Sequence, residues 1–260
     1  MTGVRGSSAI SPPVAAPGGA TTGLDRRVNH RCDRCDALGG RGGLYNPGID
    51  ILLVCTANQC RSPMAEGLLR SLFTRAGVHA EIGSAGLLPG GAPPTPEAIA
   101  VMAEQDIDIA GHVSRSLDTE VARSASLVIG MTRHHVREAV VTYGADIERT
   151  FTLKELVRRG DEVGPRHPDE TVFAWLARVG AGRRTADLMG DDDDDDIADP
   201  VGRPRPVYED TAQDLEIMLR QLVALLVGGP PRSAAYAAPS QPPRERGGVV
   251  ASEAGGTAGS

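Results

Sequence analysis

The chain has 260 residues, with 34 acidic against 27 basic side chains and a formal net charge of −7. That balance excludes a domain-wide basic field for nucleic acid, and no apolar run approaches the ~20 residues a helix needs to cross a bilayer. Four cysteines are too few for a disulfide scaffold.

Residues 1–46 are rich in Gly, Pro, Ala and Arg, without apolar periodicity, and are expected to form a disordered N-terminal extension. Cys32 and Cys35 lie two residues apart with His30 nearby. A structural zinc site needs four ligands and no second pair is free, so no metal is expected. The start of the chain lacks the basic and apolar regions of a signal peptide, which makes a cytoplasmic, reducing location the expectation. Residues 47–228 carry nearly all the Leu, Ile and Val and can bury one core.

Ile49 to Val54 is apolar apart from Asp50 and suits a strand buried on both faces. Cys55 to Arg61 follows as a short loop. Ser62-Pro63 then opens a helix, with Ser as N-cap and Pro at the first helical position. Its apolar face is Met64, Leu68, Leu69, Leu72 and Phe73. Val78 to Ile82 reads as a second strand, Pro96 to Gln105 as a helix and Ser126 to Met131 as a third strand. A helix over Arg133 to Val141, a strand over Thr150 to Leu153 and a helix over Lys154 to Arg159 come next. Residues 161–196 fit the alternation least well and read as a surface insertion. It holds a short helix around Thr171 to Val179 and ends in the acidic run Asp191 to Asp196, expected to be a solvated loop. Pro206 to Leu226 is a long closing helix, and residues 229–260 read as a disordered tail. Strands alternating with helices predict an α/β fold around a parallel sheet.

The chemistry concentrates in Cys55-Thr56-Ala57-Asn58-Gln59-Cys60-Arg61-Ser62. A seven-residue loop between a buried strand and a helix can curl so that its N–H groups face inward and bind an anion. The positive end of the following helix adds to that field. Such a field favours thiolate over thiol and would make Cys55 a nucleophile rather than an inert core thiol. Arg61 can grip two phosphate oxygens with its planar fork. Cys35 and Arg41 repeat the same spacing but lack the apolar strand, the serine and the helix. A phosphatase also needs an acid for its leaving oxygen. Asp199-Pro200 is the best candidate, although by itself it reads equally as an ordinary Asp-Pro turn.

The Cys55–Ser62 segment resembles the phosphate-binding loop of the low-molecular-weight protein tyrosine phosphatases. Ser84-Ala85-Gly86, Gly111-His112-Val113-Ser114-Arg115, Gly130-Met131-Thr132-Arg133 and Asp199-Pro200 resemble further elements of that family. Its arginine-for-lysine bias fits a bacterial, actinobacterial-like member. The resemblance implies a three-layer sandwich with a central four-stranded parallel sheet, hydrolysis of phosphate monoesters without a cofactor, and phosphotyrosine as the default substrate. It implies that Cys55 forms a phosphocysteine, that Arg61 binds the equatorial oxygens and that Asp199 is acid, then base. Ser62 would hydrogen-bond the sulfur, while Asn58, Ser84 and His112 would hold the loop. Thr56, Ala57, Gln59 and Cys60 complete the loop, and Cys60 would be able to form a reversible disulfide with Cys55. The partner would be a phosphorylated protein or a small phosphomonoester.

Val201 and Gly202 follow Asp-Pro where an aromatic wall would be expected, leaving Phe173 or Trp175 to supply one. Two other functions remain open. Thiol-dependent arsenate reduction would use the same loop, but no cysteine follows Cys60 to support a thioredoxin-coupled form. A non-catalytic phosphate-binding module would not need both Cys55 and Arg61.

Overall fold

The computed structural model describes residues 49–184, 186 and 194–228. The expected extension and tail, the Cys32/Cys35/His30 group and Asp191–Asp193 lie outside the described residues. Strand β1 (Ile49–Cys55) pairs in parallel with β2 (Ala80–Gly86) and with β3 (Leu127–Gly130), and β3 pairs in parallel with β4 (Thr150–Thr152). The order β2-β1-β3-β4 is the four-stranded parallel sheet the alternation predicts.

The apolar run of β1 serves both faces by simple alternation. Ile49, Ile51, Leu53 and Cys55 enter the larger core, and Leu52 and Val54 the smaller one. The larger core is completed by α1 (Arg61–Ala76), α2 (Pro96–Ala103), α5 (Leu153–Val163), α6 (Val172–Val179) and α7 (Arg205–Val227). Leu215, Leu219 and Leu222 of α7 are fully buried there, each contributing about 1.5–3 kcal/mol. The smaller core holds Ala122 of α3 (Thr119–Ser124) and Ala139 of α4 (Arg133–Val141). Helix α3 escaped the sequence pattern because its six residues bury only Ala122. The result is the expected three-layer sandwich.

Three local readings change. Helix α1 begins at Arg61, with Cys60 as N-cap and no side-chain capping bond. Ser62 is therefore not the cap, and its hydroxyl is free for the sulfur. Helix α5 runs on to Val163, started by the Thr152 hydroxyl accepting from the Glu155 N–H at 3.0 Å. The expected surface insertion is instead built into the core. Trp175 is fully buried and donates from its indole nitrogen to the Gly164 carbonyl at 3.0 Å. Gly160 lets this packing happen, since a Cβ there would meet Leu225 at 2.8 Å and Trp175 at 3.2 Å. Arg183 lies 4.0 Å over the Phe151 ring and donates to the Ile147 and Thr150 carbonyls. Among the described residues no helix is long and apolar enough to cross a membrane.

Candidate active site

In an open parallel sheet, ligands bind beyond the carboxyl ends of the strands where the chain order reverses. Here β1 is followed by β2 on one side and by β3 on the other. The reversal therefore falls between the carboxyl ends of β1 and β3, where Cys55 leads into the loop.

Cys55 is 3% exposed. Its Sγ accepts from the Asn58 N–H at 3.2 Å and from the Ser62 hydroxyl at 3.0 Å. Two donors therefore converge on one buried sulfur. The loop bends through Asn58, whose φ of 55° lies in the left-handed region. Its side chain holds that bend with every polar group used. Nδ2 donates to Ser62 Oγ at 2.9 Å and to Ser84 Oγ at 2.7 Å. Oδ1 accepts from the Arg115 N–H at 2.9 Å and lies 3.2 Å from His112 Nε2. That nitrogen also faces the Asn58 carbonyl oxygen at 3.1 Å, so the Nε2-protonated ring is the one that fits. The Ser84 hydroxyl in turn donates a hydrogen bond to Glu66 Oε2 at 2.5 Å. A directional chain thus runs from Asn58 through Ser62 to the sulfur.

Gly86 is required beneath the loop. A Cβ there would lie 2.8 Å from the Ala57 carbonyl carbon and 2.9 Å from the Asn58 nitrogen, both backbone atoms. Backbone bonds from Leu87 to Cys55 O, Leu88 to Thr56 O and Thr95 to Gln59 O tie down three further carbonyls. A cavity of about 420 Å³ lies behind this scaffold, lined by Glu66, Arg70, Ser84, His112 and Arg115 but by neither Cys55 nor Arg61.

Arg61 opens α1 and is 4% exposed. It donates to Asp199 Oδ2 at 2.5 Å and to the Ile197 carbonyl at 3.1 Å. Asp199 is half-exposed and its other oxygen accepts from the Val201 N–H at 3.2 Å, a local turn that Gly202 completes with a φ of 75°. All the expected loop, support and acid residues therefore gather in one place. Phe173 and Trp175 do not. Trp175 is in the core, and Phe173 stacks under Arg149 just before β4, at the opposite end of the sheet. The exposed large apolar side chains on the segments 87–91 and 199–203 beside the sulfur are aliphatic, Leu88 and Val201.

Cys55 and Cys60 are both free thiols. Burial, then the charges of Cys55 and Asp199, push the Cys60 thiol up to about 12 against the opposing pull of Arg61. Cys60 is thus held as a neutral thiol at 3.8 Å from the Met64 sulfur.

His135 was missed by sequence reasoning. It is buried, with Nε2 3.0 Å from Thr56 Oγ1 and Nδ1 2.8 Å from Thr132 Oγ1. Burial first, then the charges of Arg61 and His134, lower its pKa to about 3 and keep it neutral. The Thr132-x-x-His135 spacing, in which Thr132 caps α4, was the available signal. Asp195 was also missed. The acidic run is not uniformly solvated, because Asp195 is 3% exposed.

A family profile described as low molecular weight phosphotyrosine protein phosphatase matches residues 50–169. The protein-arginine-phosphatase of Bacillus subtilis is 33% identical over 180 residues, covering 68% of this chain and 97% of that protein. Arsenate reductase 2 of Staphylococcus saprophyticus is 40% identical over 124 residues, covering 45% of this chain and 91% of that protein. A crystal structure of a low molecular weight protein tyrosine phosphatase from T. tengcongensis superposes with a TM-score of 0.53 at 32% identity, covering 69% of this chain and all of that one. With the loop, the sheet order and these similarities in agreement, the chain belongs to the low-molecular-weight protein tyrosine phosphatase family.

Proposed function

We propose that the chain removes phosphoryl groups from protein side chains through a phosphocysteine on Cys55. The observation that carries this reading is the pair of donors on the Cys55 sulfur, set within one loop of the Arg61 guanidinium. In the first step the thiolate attacks phosphorus, the bond from phosphorus to the leaving atom breaks, and Asp199 gives that atom its proton. In the second step Asp199 takes a proton from water, the water oxygen attacks phosphorus, and the S–P bond breaks to release inorganic phosphate and the thiolate. Arg61 holds the phosphoryl oxygens in both steps. Phosphate and Asp199 compete for the same guanidinium, so an arriving dianion frees the carboxyl to act as an acid.

Phosphotyrosine is the substrate that the family name supplies. Phosphoarginine is a second reading, supported by the Bacillus subtilis relative's name and by the aliphatic Leu88 and Val201 at the flanks. An aliphatic stem packs on such a rim, whereas a phenyl ring gains most from aromatic walls. Arsenate reduction is disfavoured because no cysteine follows Cys60 and Asp199 is retained. The test pairs Cys55→Ser with wild type. The variant should lose at least about 10⁴-fold in kcat on p-nitrophenyl phosphate while inorganic phosphate still raises its melting temperature. Turnover surviving the substitution would contradict the reading. Parallel kcat/KM values on phosphotyrosine and phosphoarginine peptides decide between the substrates.

A further inference from the structure

The acid loop is anchored one residue after another at its entry. Asp195 Oδ2 accepts from Arg133 at 2.8 and 3.2 Å, and Oδ1 accepts from Arg158 at 2.8 Å. Asp196 Oδ1 accepts from the Arg133 backbone N–H at 2.8 Å, at the first turn of α4. The Ile197 N–H donates to the Met131 carbonyl at 2.8 Å, at the carboxyl end of β3, and the Ile197 carbonyl accepts from Arg61. Asp199 lies two residues further on.

The Asp195 side chain is only 5% exposed, against 22% for Arg133 and 55% for Arg158. A carboxylate this buried is retained only when its oxygens are satisfied, and these are, by guanidinium groups from two different helices. The pair therefore ties the acid loop to α4 and α5 at once, in the layers on opposite faces of the sheet.

We infer that Asp195 is a positioning residue for the general acid: its ion pairs with Arg133 and Arg158 fix the start of the loop and so set where the Asp199 carboxyl stands. The inference rests on the acid role proposed for Asp199. Asp195 touches no reacting atom. Its effect is geometric, and a displacement of about 1 Å at a catalytic group can cost up to 10²-fold.

The test separates proton donation from folding. kcat/KM reports events up to phosphocysteine formation and is measured on 2,4-dinitrophenyl phosphate, whose leaving group needs little protonation, and on phenyl phosphate, which needs it fully. Asp195→Asn should lower kcat/KM about tenfold on phenyl phosphate, a fraction of the 10²–10⁴-fold a general acid supplies, and by less than about threefold on the dinitrophenyl ester. Removing the carboxylate takes a buried acceptor from both guanidinium groups and endangers folding. Arg158→Met therefore approaches from the solvent side and should raise the same ratio between substrates by about threefold, in proportion to its share of the contact. Asp199→Asn serves as the reference for full loss of the acid. If Asp199→Asn shows leaving-group dependence while both anchoring variants lower the two substrates equally, or not at all, the inference is wrong and the acid role stands. If Asp199→Asn itself shows no leaving-group dependence, the acid role falls and the inference falls with it.

Discussion

Residues 55–61 hold their shape through bonds within one strand–loop–helix run, to Ser84 of β2, to the loops around residues 87–95 and 112–115, and to His135 of α4. Residues 195–202 hold theirs through partners 62, 63 and 136 positions away in the chain. The first segment carries the proposed nucleophile and anion grip, the second the half-exposed Asp199. A loop that must present a ring of N–H groups to a phosphate needs its own backbone bent, and Asn58 does that with four side-chain bonds. A loop that presents one carboxyl needs only a fixed entry and a tight turn, which buried ion pairs and an Asp-Pro-Val-Gly turn supply. Damage to the first should therefore disable every substrate alike. Damage to the second should discriminate among leaving groups.

The largest expected effect in breaking that contrast is at Arg61. Arg61→Lys keeps the charge but loses the planar fork, and kcat/KM should fall about 10²–10³-fold on aryl phosphates of good and poor leaving group alike. Gly86→Ala sharpens the contrast further. Its new methyl collides with backbone atoms of Ala57 and Asn58, which cannot rotate away. We expect about 1–3 kcal/mol of lost stability, read as a lower melting temperature, with equal loss of kcat/KM on both classes of ester.

The smallest effect on activity is at His135, which acts on stability through pH. Its folded-state pKa is lowered to about 3 from the ordinary 6.5, mainly by burial. The unfolded chain therefore binds the extra proton first. The stability this ring contributes is complete above about pH 6.5 and drains away as pH falls towards 3, at up to about 1.4 kcal/mol per pH unit. Asp195 acts lower on the scale. Burial alone would raise its carboxyl, but hydrogen bonds from Arg133 and Arg158 outweigh that and hold it below 3.8. Its stabilisation is present above pH 3.8 and is lost below. His135→Gln should thus flatten the fall in melting temperature between pH 6.5 and 4. An unchanged slope would show that another group titrates there.

Much of the first segment was legible in the sequence and little of the second. The apolar run 49–54, the Cys-x5-Arg-Ser spacing and the Ser-Pro helix start are all local signals, and they led to β1, the loop and α1. Even there the capping role given to Ser62 failed, because its hydroxyl is drawn to the sulfur by a fold-dependent contact. Asp195 was unreadable for a different reason. Six consecutive aspartates look alike, and only the arrival of Arg133 and Arg158 from separate helices distinguishes the buried Asp195. The 161–184 stretch misled similarly, since a short helix with one tryptophan reads as an appendage until Gly160 is seen to admit it. Asp199-Pro200 lay between these cases: the dipeptide is local, but its meeting with Arg61 is not.

The central claim is that a covalent phosphoryl-enzyme forms on Cys55. Acid quenching during turnover of an aryl phosphate, followed by proteolysis and mass spectrometry, tests it directly. The account predicts one phosphoryl group on the peptide that carries Cys55, attached through sulfur and absent in Cys55→Ser. Steady turnover with no phosphopeptide, or with the phosphoryl group on another residue, would contradict it.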